Sequence, residues 1–300
     1  MMADLRWGTS TWAYEGWQGL VYRDVAGYGK TFARRCLAEY ARSERFRFGC
    51  VGIDSTFYAP PTPAALAEYA EQLPPQFPCV VKVWQGVSAP FFTRHFGPSG
   101  HAGEPNPRFL DPAAFDREFL PAFRETFRDH VGAFVLEIPV VPPRSMGRRE
   151  FLERLDAFLA AVEPGWPVSV ELRSRWFLSD SYFSVLARHG AAHCFAVWTK
   201  MPLPDEVLRE HPRALAAAPF TVCRGLVVPG VAYEDAVKRY RPYDRLQARD
   251  PRVRQSLLAY LRAARDRVER VLVTINNRLE GCAPLTIEEL RVELEGGEPG

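Results

Sequence analysis

Eight short apolar runs, each separated from the next by a segment patterned as helix, constrain this chain more than anything else in it. They lie near Leu5–Thr9, Cys50–Asp54, Val80–Val83, Ala133–Ile138, Val168–Leu172, His193–Val197, Phe220–Arg224 and Val271–Ile275. Most are continuous rather than alternating, which suits parallel strands covered on both faces. Three intervening segments open with a cap residue and a proline: Thr62-Pro63, Asp111-Pro112 and Asp250-Pro251. Each precedes an apolar stripe at helical spacing, such as Phe115, Phe119, Phe123 and Phe127. Phe32–Tyr40, Phe151–Val162 and Tyr182–Ala187 are further amphipathic stretches. Eight strands alternating with helices predict a closed (β/α)8 barrel of the TIM type. An open doubly wound sheet is the alternative, but it wants a Gly-rich loop after its first strand, and no G-x-G-x-x-G occurs. The 300 residues suit one such barrel over 1–300, with a frayed tail from about 296. Segments 85–110, 199–219 and 225–249 exceed simple connections and read as lids or excursions.

In a barrel, chemistry sits on the loops that follow the strands. Read at those positions, the sequence supplies Asp54, Lys82, Glu137, Glu171, Arg173, Arg224, Asn276 and Asn277. Ionisable groups that interrupt buried strands are costly unless paired or functional. Glu171 and Arg173, two apart on one strand, point to the same side. The same residues could form an ion-pair network that only plugs the barrel. Trp12, Tyr14 and Trp17 follow the first strand in a polar loop containing glycine. They read either as core aromatics or as a pocket wall that stacks on a flat or sugar-like group. Tyr58 and Trp176 occupy similar positions after the second and fifth strands.

Several chemistries lack their signals. The six cysteines form no C-x-x-C pair and read as small buried hydrophobes. His189 and His193 are four apart without the glutamate of a zincin helix, and Gly190 reads as a helix end. His95 and His101 read as lid residues or, more simply, surface histidines. No metal and no cofactor is expected. There is no G-x-S-x-G elbow and no P-loop. The net charge of +2 and the mixing of charges argue against a large nucleic-acid footprint. The arginines of 262–270 alternate with acids and read as a solvated helix face. The start MMADLRWGTS lacks a signal-peptide core, and no run approaches about 18 apolar residues. The expected setting is the cytoplasm, away from membranes.

The opening run Trp7–Gly19, WGTSTWAYEGWQG, resembles the first motif of domain-of-unknown-function family 72, the YecE-like proteins. Further similar segments follow in order: VGIDSTFY (51–58), VKV (81–83), VELRSRW (170–176), Arg224-Gly225 and Asn276-Asn277. The resemblance implies a TIM barrel and a site at these positions, and names no activity. This chain departs from the family pattern in places. Asp54 stands for asparagine, Glu137 for glutamine and Arg278 for aspartate. The usual threonine-histidine pair after Lys82 and the histidine near Arg224 are missing.

The residues together point to an enzyme for a small anionic ligand bearing phosphate or carboxylate, or for a sugar-like one. In that reading Lys82, Arg173 and Arg224 bind the anion. Glu171 is the general acid/base, with Asp54 or Glu137 as the second carboxylate. Asn276, Asn277 and the aromatics orient the ligand. Hydrolysis, including glycoside hydrolysis, is the expected reaction class. The alternatives are a barrel that binds or cleaves nucleic acid, with the cations on backbone phosphates, and a non-catalytic binding barrel.

Overall fold

Continuous apolar runs bury both of their faces, and the way to satisfy eight of them at once is a sheet closed on itself inside a ring of helices. In the computed structural model, which describes residues 3–93 and 96–296, the eight runs do this. The strands are β1 (Asp4–Thr9), β2 (Cys50–Ile53), β3 (Cys79–Lys82), β4 (Val131–Ile138), β5 (Val168–Leu172), β6 (Ala192–Val197), β7 (Phe220–Gly225) and β8 (Arg270–Ile275). They pair in chain order as a closed barrel. All neighbours are parallel, and β8 seals onto β1 from Asp4↔Arg270 to Thr9↔Ile275. The fold is a (β/α)8 barrel, and the open sheet is set aside.

Two apolar clusters make up most of the core, and a third, small one joins Val227, Ala236, Tyr240 and Tyr243. Between the sheet and the helices lies a large apolar layer rich in Phe and Leu. Inside the barrel a smaller group, including Cys50, Val80, Ala133, Val135, Ala192, Cys194 and Leu272, fills the lower part. Small side chains are needed there because facing strands converge. All six cysteines are buried and unpaired. Gly8 marks a close approach of strands: a Cβ there would lie 1.9 Å from the carbonyl oxygen of Cys50 on the adjacent strand.

The three cap-proline signals each begin a helix. Thr62 Oγ1 accepts from Ala65 N at 3.2 Å, Asp111 Oδ1 from Ala113 N at 2.9 Å and Asp250 Oδ1 from Val253 N at 3.0 Å. Such caps contribute about 1 kcal/mol each. The helix after Asp111 is less regular than its Phe stripe predicts. It widens to a π-helical stretch over Phe115–Phe119 before resuming as Leu120–Thr126. Pro121 has no N–H to give to the preceding turn, which accounts for a local break in the bonding pattern. The stripe still serves its purpose, for Phe115, Phe119 and Phe123 all pack on Phe134 of β4.

The long connections are ordered in large part. Asn106 Nδ2 donates to the carbonyls of Gly86 (3.0 Å) and Ala89 (2.8 Å), closing the loop that follows β3. Segments 199–219 and 225–249 each contain a helix, Pro204–Glu210 and Tyr233–Tyr240. Gly190 ends the helix Asp180–Arg188 with a φ of +60°. His95 lies outside the described residues, as does most of the expected tail.

Candidate functional site

Six ionisable side chains from β2, β3, β4, β5 and β7 meet at the C-terminal end of the barrel. Glu137 and Glu171 stand side by side in the β4–β5 register, two carboxylates on adjacent strands. Such a pair persists only if cations separate it. Lys82 Nζ lies 2.7 Å from Glu137 Oε2, and Arg173 Nη2 lies 2.9 Å from the same oxygen. Arg173 Nη2 also pairs with Glu171. Arg224 Nη1 reaches Glu171 Oε2 at 2.6 Å and Glu137 Oε2 at 3.3 Å, while its Nη2 reaches Asp54 Oδ1 at 2.8 Å. Three cations thus face three carboxylates.

The cluster is layered. The side chains of Glu171, Arg224 and Arg173 are buried to 0%, 2% and 5% exposure, while Asp54, Lys82 and Glu137 keep 22%, 13% and 12%. Burial works against ionisation of Glu137, but Arg173, Lys82 and Arg224 outweigh it and hold the carboxyl well below its usual range. Burial likewise opposes the charge on Arg224, and Glu171, Asp54 and Glu137 restore it and push the guanidinium well above its usual value. The ring of Trp198, the first residue past β6, has its centroid 3.9 Å from the Arg173 guanidinium carbon and supports it by a cation–π contact. Lys82 sits 4.8 Å from the ring of Phe57. Despite its ion pairs, Arg173 has two buried nitrogens, Nε and Nη1, with no hydrogen-bond acceptor among the described residues.

Residues 6–299 match a family described as a protein of unknown function, DUF72. The chain belongs to the DUF72 family. Among solved structures it is similar to a DUF72 family protein from Thermotoga maritima at 18% identity and a TM-score of 0.65, covering 97% of this chain and 99% of that one. It is also similar to a DUF72 family protein from Enterococcus faecalis at 15% identity and a TM-score of 0.63, covering 98% of each. At such identities the likeness concerns the fold. Comparison with curated proteins finds no match.

Around the charges, this DUF72 barrel arranges its aromatic residues unevenly. Tyr14 is partly buried near the cluster, edge-on to Tyr243 at 5.4 Å. Burial raises its phenol pKa against a hydrogen bond with Thr11, and the charges of Arg278 and Asp54 also reach it. Trp17 is fully buried and stacks on Tyr22, so it belongs to the core and not to a pocket wall. Trp12 is also buried, edge-on to Tyr69 at 5.1 Å. Tyr58 is 67% exposed on the rim, and Trp176 packs beside Phe177. The asparagines work as caps. Asn276 Oδ1 accepts from Arg278 N at 3.0 Å, and the buried Asn277 accepts from Ala283 N at 2.8 Å.

The remaining histidines have local partners. His189 pairs with Asp156 at 2.7 Å, His101 with Glu104 at 2.8 Å, and buried His193 meets the Tyr182 hydroxyl at 3.0 Å. Among the described residues no group of three or more His, Cys, Asp or Glu side chains is arranged to hold a metal ion. No described helix is long and apolar enough to cross a membrane. A groove of about 600 Å³ beside Tyr28, Glu39 and Arg42 contains none of the clustered charges. Convergence of ionisable groups at the strand ends marks the mouth as the candidate site. Trp198 and Arg278 are the two participants that strand-end reading passed over. Position alone, the first residue past β6, could have found the tryptophan.

Proposed function

We propose that the mouth of this DUF72 barrel is the active site of a hydrolase-type enzyme for a small anionic or sugar-like substrate. The observation that carries the reading is Arg173, buried among carboxylates yet with two N–H-bearing nitrogens that meet no acceptor among the described residues. A substrate oxygen placed there would satisfy both, and a buried donor left unpaired costs about 1–3 kcal/mol. Lys82 lies at the solvent side of the cluster, where its remaining N–H groups can meet a substrate oxygen. Asp54 and Glu137 are the carboxylates nearest solvent. Glu137, held ionised by three cations, suits charge stabilisation, which leaves proton transfer to Asp54. Glu171 lies beneath them and serves as counter-ion to the two arginines. Tyr14 supplies part of the wall.

A second reading, a binding barrel without catalysis, draws on the charge balance: every cation of the cluster already has a carboxylate. A nucleic-acid role ranks behind both because cations so matched offer little to a phosphate backbone. The test is turnover of chromogenic phosphate esters, carboxylic esters and glycosides by the wild type, Asp54→Asn and Glu137→Gln. Turnover of one class, lowered roughly 100-fold or more in both variants with a cooperative melt retained, is the expected result. No turnover of any class, or full activity in both variants, overturns the enzyme reading.

A further inference from the structure

The three cations of the cluster are matched by three carboxylates, but a fourth cation at the mouth is not. Arg278 follows β8 in the short helix Asn277–Glu280, whose start is fixed by the Asn276 cap. Its guanidinium lies 4.2 Å from the ring centroid of Tyr233, on the helix that follows β7. Among the described residues it makes no ion pair, in contrast to Lys82, Arg173 and Arg224. Its charge and that of Asp54 both reach the Tyr14 hydroxyl, which places it on the same side of the mouth as the cluster.

We propose that Arg278, held against Tyr233, is the residue that receives the oxyanion of a small phosphate- or carboxylate-bearing ligand at the barrel mouth. The inference rests on the reading of that mouth as a substrate site. The ring contact holds the guanidinium without using its N–H groups on any described acceptor, so these donors stay available to a bidentate oxyanion. The platform also restricts the side chain before the ligand arrives, so less entropy is lost on binding. Burial supports the assignment too. Arg278 is neither sealed like Arg224 nor fully exposed, so a ligand can reach it without first opening the ion-pair network.

Calorimetric titration of the full chain with inorganic phosphate and, separately, malonate tests this in the wild type, Arg278→Gln and Lys82→Met. The result expected is wild-type binding of at least one anion, weakened roughly tenfold or more by Arg278→Gln with an unchanged melting temperature. The two probes tell a phosphate from a carboxylate preference. Binding lost only in Lys82→Met overturns the role of Arg278 while keeping the mouth as a site. Binding lost only in Arg278→Gln upholds Arg278 and removes the network from ligand contact. Equal binding in all three proteins, or none in the wild type, overturns the inference.

Discussion

Glu171 shows how much a single buried carboxylate can be asked to do. It accepts from Arg173 and Arg224 while fully buried, and the Glu137 carboxylate that both guanidiniums also reach is already shared with Lys82. Glu171→Gln keeps the shape but removes the charge that both arginines face. Breaking a buried pair from one side costs roughly 3–5 kcal/mol, and a loss of that size in urea unfolding is the expected outcome. An unchanged midpoint would show that the arginines find other acceptors, and would return Glu171 to the acid/base position that its strand location first suggested. The charged members of the cluster were legible in the sequence because an ionisable residue stands out within an apolar run. Trp198 was not, because it reads as the natural end of AHCFAV. Arg278 was noted as a departure from a family pattern, but its stacking on Tyr233 depends on a helix 45 residues earlier in the chain.

At the scale of elements, β6 and the helix Asp180–Arg188 enclose His193, whose ring meets the Tyr182 hydroxyl and packs on Phe183 and Phe195. Burial drives its pKa down to about 3, with a backbone hydrogen bond to Val170 opposing the shift and His211 adding to it. Between about pH 6.5 and 3 the unfolded chain therefore holds a proton here that the folded chain does not. Stability must fall as pH falls through that window, with a slope of up to about 1.4 kcal/mol per pH unit from this group. His193→Gln should show a shallower decline in urea midpoint from pH 6.5 to 5, and parallel declines would refute the assignment. The strands were legible to within two residues at each end because their apolar runs are unbroken. The π-helical widening at Phe115–Phe119 was not, since a stripe at helical spacing continues through it and only Pro121 marks the break.

At the scale of the whole molecule, the barrel is locked by an arginine outside the charged cluster. Arg254, on the helix Pro251–Arg265, holds the buried Glu280 through two bonds of 2.7 and 2.8 Å. It also pairs with Glu289 at 2.6 Å and with Glu293, both on the final helix Ala283–Leu294. Arg254→Ala would strand Glu280 without a cation and release the last helix, a loss of roughly 3–5 kcal/mol in denaturant unfolding. A change under about 1 kcal/mol would mean that apolar contacts alone hold that helix. The closed order of the strands was legible from their number and spacing. The pairing of Glu137 with Glu171 across β4 and β5 was not, because register depends on the stagger of neighbouring strands and leaves no mark in either segment alone. The matched charges of the mouth carry a kinetic consequence. Three positive and three negative groups packed within a few ångströms cancel at a distance, so their field fades before it reaches an approaching molecule. Long-range guidance of an anionic ligand then falls to the unmatched Arg278 alone, so its arrival rate should fall only modestly between dilute and concentrated salt.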